Sequence, residues 1–316
     1  MIEVLLLILG FALLIKGADV FVDAGVEIAK IFKIPSVIIG LTVVALGTSA
    51  PEMVVSITAS VRGSNALAIG NVVGSNVVNL LLVVGLCAMM KSMRVKTHEI
   101  AKDFWFSILA AVLLLGLKLL NGETIPRVGA ATLLLIFTVY MIILIRQTLK
   151  NRNDNIFENE CKNSKKQKPL PVVVLFAVFG CAAIVGGGQL TVDSAVKIAA
   201  SMGMSERMIG LTIVAIGTSL PELVTSLMAL KKGETDIALG NVIGSNIFNI
   251  LLVLGVAGVI SPLSFDDALI FDTSVLIAGS LVVLLFSYTG KRISRKEGAV
   301  MVLMYAVYTA FILWKY

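Results

Sequence analysis

The chain has 316 residues, of which 58% are hydrophobic and only 15% are charged. Soluble domains carry about 25% charged residues, so this composition excludes an ordinary soluble protein. The net charge is +6, but the basic residues lie in short segments between long apolar runs, which excludes a nucleic-acid groove. The three cysteines, Cys87, Cys161 and Cys181, lack disulfide or metal-ligand spacing, and we expect free thiols.

Ten apolar runs are each long enough to cross a bilayer core of about 30 Å. The sequence therefore predicts an all-α polytopic membrane protein with ten transmembrane helices. In chain order, the predicted spans are 2–29, 36–61, 66–90, 103–120, 124–146, 170–199, 207–230, 236–260, 267–288 and 298–315. With an outer N-terminus, 19 of the 26 lysines and arginines fall in inner segments, which predicts extracellular termini and a cytoplasmic central linker in the cell membrane.

The two halves of the chain repeat each other at a constant offset of 170 residues. GLTVVALGTSAPEMVVS (40–56) matches GLTIVAIGTSLPELVTS (210–226) at 12 of 17 positions, and 70–85 matches 240–255 at 11 of 16. We predict a first five-helix repeat at 1–147 with its motif at 40–85, a linker at 148–169, and a second repeat at 170–316 with its motif at 210–255. Because five spans is an odd number, the second repeat is expected to insert upside down, which is typical of secondary transporters with a midplane site.

The second span combines a helix break with a buried acid. Pro51 has no N–H to donate to the carbonyl of Gly47, which leaves an orphan carbonyl that hydrocarbon does not tolerate. Thr48, Ser49 and Glu52 share one face of this helix, so hydroxyl and carboxylate oxygens lie beside the break. The equivalent residues of the second half are Thr218, Ser219 and Glu222. The third and eighth spans add further polar stripes at helical spacing, Asn71, Ser75 and Asn79, and Asn241, Ser245 and Asn249.

Brought together, these residues would form a cage of oxygen ligands with two carboxylates. Ca²⁺ takes 6–8 oxygens, and Na⁺ has a similar radius, whereas Mg²⁺ demands a tighter octahedron. The stripes contain no histidine or cysteine, which disfavours zinc and copper. A bare glutamate at mid-membrane costs at least ~2.5 kcal/mol, so we expect both glutamates to hold metal or protons at all times. For the serines, threonines and asparagines, hydrogen bonding between helices is the alternative role.

At these residues the sequence resembles the cation/calcium antiporter superfamily and, within it, the prokaryotic type of the Na⁺/Ca²⁺ exchanger branch. The resemblance rests on GTSAPE…GNVVGSNVVN and GTSLPE…GNVIGSNIFN. It implies that Glu52 and Glu222 are shared by Ca²⁺ and Na⁺, and that Thr48 and Thr218 coordinate Ca²⁺. The other implied ligands are the Ala45 and Ala215 carbonyls with Ser49, Ser219, Ser75 and Ser245 at flanking Na⁺ sites, and Asn79 and Asn249 at the centre.

The resemblance also implies the activity. It is secondary-active antiport by alternating access, in which spans one and six slide against the core and Na⁺ influx drives Ca²⁺ efflux, with a 3:1 stoichiometry. Na⁺ and Ca²⁺ are then transported ions, no cofactor is tightly bound, and the lipid bilayer is the expected surrounding, with no nucleic acid and no obligate protein partner. Asn249 stands where K⁺-dependent members carry aspartate, which disfavours K⁺ co-transport.

Three other functions remain open from the residues. An H⁺/Ca²⁺ exchanger fits because a glutamate can trade metal for a proton, although the many hydroxyl ligands favour Na⁺. A cation channel would also line its path with carboxylates, but it has no need of a duplicated, interrupted helix. An intramembrane hydrolase is disfavoured because no histidine lies in a span and G-x-S-x-G is absent. Asp23 and Asp193, at equivalent positions of the two halves, are either cation-entrance residues or solvated helix ends.

Overall fold

The computed structural model describes residues 2–95, 100–151, 168–204, 213, 215–265 and 267–315. Eight of its helices are long and apolar enough to cross a membrane, and a bent pair, Ser36–Thr48 with Ala50–Val61, forms a ninth candidate span. The first part of the predicted span at 207–230, like Cys161, lies outside the described residues. The predicted count of ten therefore stays a prediction, whereas the helical membrane-protein class is confirmed.

The helices follow one another with short connections. In chain order they are α1 (Ile2–Phe32), α2 (Ser36–Ile39), α3 (Ala45–Thr48), α4 (Ala50–Val61), α5 (Asn65–Val77), α6 (Val84–Met90), α7 (Ile100–Asn121), α8 (Arg127–Asn151), α9 (Leu170–Ser201), α10 (Ala215–Thr218), α11 (Leu220–Lys231), α12 (Thr235–Ile247), α13 (Leu254–Ile260), α14 (Asp267–Gly290) and α15 (Arg295–Lys315). Short π-helical segments at Gly40–Val44, Val78–Val83 and Phe248–Val253 join α2 to α3, α5 to α6 and α12 to α13. Helix α8 continues past 147, so the start of the predicted linker is helical.

Four short strands were not expected from the sequence. They are β1 (Met93–Arg94), β2 (Thr124–Ile125), β3 (Leu263–Ser264) and β4 (Arg292–Ile293), and they form two antiparallel ribbons, β1 with β4 and β2 with β3. Each ribbon therefore joins one strand from each half of the chain. Because β1 and β2 lie at opposite ends of α7, the two ribbons lie at opposite ends of the helix bundle. Two-residue strands leave no periodic pattern, since a partner about 140–200 residues away supplies their hydrogen bonds.

The first helices of the two halves, α1 and α9, pack against each other over their length. A Cβ atom added at Gly17 would lie 2.9 Å from the carbonyl oxygen of Gly180, and one added at Gly187 would lie 2.8 Å from that of Gly10. Because Gly10 meets Gly187 and Gly17 meets Gly180, the two helices run antiparallel. Small residues are needed here because the two backbones touch.

The most buried spans are Asn65–Met90, built from α5 and α6, and Thr235–Ile260, built from α12 and α13. In an apolar stretch of 18 residues from each of these two spans, 78% of the residues are buried, whereas the share is 17–39% in the other six long helices. The outer helices instead expose large apolar side chains, among them Leu120 and Trp314, as expected of a surface that faces lipid. The two buried spans therefore form the centre of the bundle, against which the interrupted helices pack.

Candidate cation site

The predicted break in the second span is present. Helices α2–α3 and α4 are bent by 49° at Ser49, whose φ and ψ of −80° and 5° leave the regular helix, and Pro51 lies in the first turn of α4. The carbonyl of Gly47, which the proline leaves without a helical donor, accepts a contact of 3.6 Å from the thiol of Cys181 in α9. Sequence reasoning missed this partner because the two residues are 134 positions apart. The free thiols expected at Cys87 and Cys181 are confirmed.

The two glutamates lie at equivalent positions, in the first turns of α4 and α11, and both are completely buried. A helix N-terminus carries partial positive charge, which favours a carboxylate at this place. Oε1 of Glu222 accepts hydrogen bonds from the hydroxyls of Ser49 at 3.0 Å and Ser245 at 3.4 Å. Among the described residues, Oε2 of Glu222 and both carboxylate oxygens of Glu52 have no hydrogen-bond partner.

The other predicted ligands are buried around these carboxylates. Ser75 and Ser219 lie beside Glu52, and the Glu222 carboxylate lies close enough to act on it electrostatically. Within the described part of the chain, several of their polar atoms have no hydrogen-bond partner: the hydroxyls of Ser75, Thr218 and Ser219, both side-chain polar atoms of Asn79, and Oδ1 of Asn249. Buried polar groups are normally paired, because an unpaired one costs about 1–3 kcal/mol. A group of unpaired oxygens around two carboxylates is therefore suited to a cation.

Two of the remaining predicted residues, Thr48 and Ala45, are engaged by neighbours. Thr48 donates its hydroxyl hydrogen bond to Oδ1 of Asn241 at 2.9 Å and lies 3.4 Å from the hydroxyl of Ser245. The Ala45 carbonyl accepts the backbone N–H of Ser49 at 2.9 Å. Ala215 is the first residue of α10, the short helix before the second break. These contacts bring α3 and α12, which come from different halves, into one site.

Four asparagines hold helices together. Asn71 and Asn241 each donate to a serine hydroxyl at 3.0 Å, at Ser56 and Ser226, which ties α5 to α4 and α12 to α11. Asn76 and Asn246 lie across the centre of the molecule, where each amide donates to the main-chain carbonyl of the other, at 3.1 and 3.4 Å. Asn76 also accepts a 3.1 Å hydrogen bond from Nδ2 of Asn249.

The two central asparagines occupy an irregular part of the buried spans. Asn79 is the second residue of the π-helical segment Val78–Val83, and Asn249 is the second residue of Phe248–Val253. Single π-helical turns frequently occur at functional sites, because the wider turn changes the direction of side chains and frees backbone groups. Sequence reasoning missed both segments, since π turns carry no periodicity distinct from that of the flanking helix.

The ligand set matches the chemistry of hard cations. Among the described residues, no three or more Asp, Glu, His or Cys side chains form a metal-holding group, so the two carboxylates act with neutral hydroxyl and amide oxygens. Such a mixture suits Ca²⁺ and Na⁺ rather than zinc or copper. A cavity of about 350 Å³ reaches this region from one end of the bundle, and Pro51, Pro221, Thr218 and Asp193 are among the residues that line it.

Comparison with known proteins identifies the family. The family model described as "Sodium/calcium exchanger protein" matches residues 2–146 and 172–314. The chain belongs to the sodium/calcium exchanger family. It is 40% identical over 314 aligned positions to the putative antiporter CaxA of Alkalimonas amylolytica, and the alignment covers 98% of both chains. It is 35% identical over 337 aligned positions, gaps included, to the sodium/calcium exchanger MaX1 of Methanosarcina acetivorans, and the alignment covers 96% of both.

Solved structures agree with this family. A structure of the sodium–calcium exchanger NCX_Mj soaked with Na⁺ and Ca²⁺ superposes with a TM-score of 0.82 at 32% identity, covering 98% of both chains. Another, soaked with Na⁺ and Sr²⁺, gives a TM-score of 0.83. This protein is therefore a multi-pass membrane transporter and not an enzyme. It belongs to the prokaryotic branch of the cation/Ca²⁺ antiporters.

Proposed function

We propose that this chain exchanges Na⁺ for Ca²⁺ across the cell membrane by alternating access to one oxygen cage at mid-membrane. Glu52 and Glu222 are the shared carboxylates of the cage. The remaining ligands are Thr48 and Thr218 for Ca²⁺, Ser49, Ser219, Ser75 and Ser245 with the Ala45 and Ala215 carbonyls for Na⁺, and Asn79 and Asn249 at the centre. No tightly bound cofactor takes part, because the two ions are the transported substrates.

A single observation carries this proposal. Two fully buried glutamates from equivalent positions lie together, and three of their four oxygens have no hydrogen-bond partner in the described structure. Two carboxylates neutralise one Ca²⁺ or two Na⁺, and leaving them bare in a membrane core is costly. Competition of the two ions for the same carboxylates is the physical basis of exchange, since one ion leaves as the other arrives.

The proposal includes ten helices in two inverted repeats. Helices α1 and α9 are equivalent in sequence and run antiparallel, as their glycine contacts require. The equivalent strands β1 and β3 lie in ribbons at opposite ends of the bundle. Both relationships support a second half that is inserted upside down relative to the first. An inverted pair of repeats is the arrangement that lets one site face the two sides of a membrane in turn.

The direction and stoichiometry extend this proposal. The excess of lysine and arginine in alternate connections favours extracellular termini and a cytoplasmic linker. In that orientation, inward flow of Na⁺ drives Ca²⁺ outward. A 3:1 exchange moves one net charge per cycle, so a membrane potential changes its driving force by ~2.3 kcal/mol per 100 mV.

The test uses purified protein in proteoliposomes. Uptake of ⁴⁵Ca²⁺ is measured with an outward Na⁺ gradient, with an outward H⁺ gradient, and with neither, and each condition is repeated with a valinomycin-clamped potential. We expect uptake with the Na⁺ gradient alone, and stimulation by an inside-positive potential as three Na⁺ leave for each Ca²⁺. Uptake driven only by the H⁺ gradient would identify an H⁺/Ca²⁺ exchanger. Uptake that needs neither gradient, and that continues until Ca²⁺ reaches electrochemical equilibrium, would identify a channel.

A further inference from the structure

An ion cluster joins the first helix to the end of α11, the helix that carries Glu222. Nζ of Lys232, the residue that follows α11, lies 2.8 Å from Oδ1 of Asp19 and 2.5 Å from Oδ1 of Asp23. The same ammonium donates to the main-chain carbonyl of Asp19 at 2.8 Å. All three donors of one lysine are therefore used on α1, and the side chain is largely shielded, with 21% of its surface exposed.

The equivalent place in the other half has no such cluster. At the same offset of 170 residues, Lys232, Asp19 and Asp23 correspond to Arg62, Gln189 and Asp193. Asp193 accepts a 2.8 Å hydrogen bond from the side chain of Gln189, four residues before it on α9. Arg62 is exposed, and it forms no ion pair with Asp193, although both residues are described. At one end of the bundle, charges therefore join α1 to α11. At the other end, the described residues show no such ion pair between the equivalent helices α9 and α4, and Lys197 of α9 pairs instead with Glu3 of α1 at 3.4 Å.

The same two ends differ in access to the cation site. Val192 and Thr218 line the cavity of about 350 Å³ at the end of the bundle where Asp193 lies. Their equivalents at the other end, Val22 and Thr48, are completely buried. The end with the Lys232 cluster is therefore closed, and the end with Asp193 is open.

We propose that Lys232, Asp19 and Asp23 form an ionic latch, which must break before cations can reach the site from the Lys232 end. The latch fixes α1 to α11 and so couples the position of the first helix to the helix that holds Glu222. The inference rests on the alternating access proposed above, but it does not depend on which ions are exchanged. In the opposite conformation the latch is open, and Arg62 is the residue placed to approach Asp193.

The test measures access to Val22 directly. The Val22→Cys variant is reacted with a polar maleimide in detergent micelles, where both ends of the protein are accessible. Peptide mass mapping then follows labelling at residue 22. Adding Lys232→Met is expected to raise the labelling rate about two- to fivefold, as loss of a partly exposed ion pair predicts. The matched control is Lys231→Met, at the neighbouring exposed lysine, and it is expected to leave the labelling rate unchanged. The charge-preserving Lys232→Arg is also expected to leave the rate unchanged.

A second measurement separates a latch from a general loss of structure. Asp19→Asn with Asp23→Asn is expected to raise labelling at residue 22 as Lys232→Met does, and combining all three changes is expected to add nothing further. Equal labelling in Lys232→Met and Lys231→Met, or fully additive effects of the acidic and basic substitutions, would overturn the proposal. Because no ion gradient is used, a failure here is distinct from a failure of Na⁺-driven uptake.

Discussion

The hydroxyl of Ser49 donates a hydrogen bond to Oε1 of Glu222 across 3.0 Å, so a residue of the first motif holds the carboxylate of the second. In the equivalent pair, Ser219 lies beside Glu52, but neither its hydroxyl nor either Glu52 oxygen has a partner within hydrogen-bond distance among the described residues. Sequence symmetry is thus broken in the site, in the same conformation in which the two ends of the bundle differ in access. Equivalent residues therefore have different surroundings, and their substitutions are expected to have different effects.

Replacing either carboxylate removes half of the negative charge available to Ca²⁺. We expect Glu52→Gln and Glu222→Gln each to lower Na⁺-driven ⁴⁵Ca²⁺ uptake by about 100-fold or more, because the buried divalent ion is left with an uncompensated charge. Uptake into proteoliposomes with matched protein content is the measurement. Glu27→Gln, at a partly exposed helix position paired with Lys30 away from the site, is the control and is expected to keep full uptake. Full activity of either site variant would contradict the proposed cage.

The free hydroxyl of Ser219 provides a test of the Na⁺ ligands. Ser219→Ala is expected to raise the Na⁺ concentration for half-maximal exchange about three- to tenfold, as loss of one oxygen contact predicts, while the Ca²⁺ dependence changes by less than about twofold. Initial uptake rates over a series of Na⁺ and Ca²⁺ concentrations give both values. Ser274→Ala removes an exposed hydroxyl that bonds only to its own helix, and it serves as the control. An equal effect on both ions would show that Ser219 serves both and would contradict its assignment to Na⁺ alone.

A third carboxylate at the centre is expected to change the ion requirement. In Asn249→Asp the side chain can no longer donate to Oδ1 of Asn76, which it now reaches at 3.1 Å, and two oxygens then face each other. The new carboxyl must take a proton or a cation, so we expect exchange to become dependent on pH or on K⁺. Uptake is measured over a pH series with and without K⁺. Asn121→Asp, at an exposed position, is the control; a variant with unchanged dependence on both would contradict the expectation.

Two adjacent glycines of α9 test the antiparallel contact of the first helices. A Cβ at Gly187 would lie 2.7 Å from the backbone nitrogen of Leu14, whereas one at Gly186 would meet nothing within 4 Å among the described residues. Gly187→Ala is therefore expected to destabilise the protein by about 1–3 kcal/mol through overpacking. Gly186→Ala is expected to be neutral or stabilising by up to about 1 kcal/mol. Thermal unfolding in detergent measures the difference, and equal melting temperatures would argue against the close contact.

Local chemistry made part of this site predictable. Pro51 beside Glu52, inside an apolar run, indicates an interrupted helix with an acid, because the proline frees a backbone carbonyl and an acid facing lipid is costly. The same proline–glutamate pair recurs at Pro221 and Glu222, so the sequence predicts a second interrupted helix with an acid. Step-four spacing predicts that Thr48 shares a helix face with Glu52 and that Ser75 shares one with Asn79, and all four side chains are buried.

Other features could not be read from the chain. The short ribbons, the Cys181 contact to Gly47 and the paired amides of Asn76 and Asn246 join residues far apart in sequence. Their partners are selected by packing, and small polar residues of this kind occur on many helix faces without pairing. The two π-helical segments are likewise set by how the buried spans fit together.

The sequence by itself determined a membrane-embedded, duplicated helical protein with two acids beside helix breaks, because hydropathy and helical spacing act over short stretches of chain. Only the tertiary structure decided that Ser49 donates a hydrogen bond to Glu222 while the Ser219 hydroxyl has no partner among the described residues. It also decided that Lys232 pairs with Asp19 and Asp23 at one end, while Asp193 lines a cavity at the other. A repeated sequence specifies two equivalent halves, whereas a site that faces one side at a time requires those halves to pack differently, and that difference exists only in the folded arrangement.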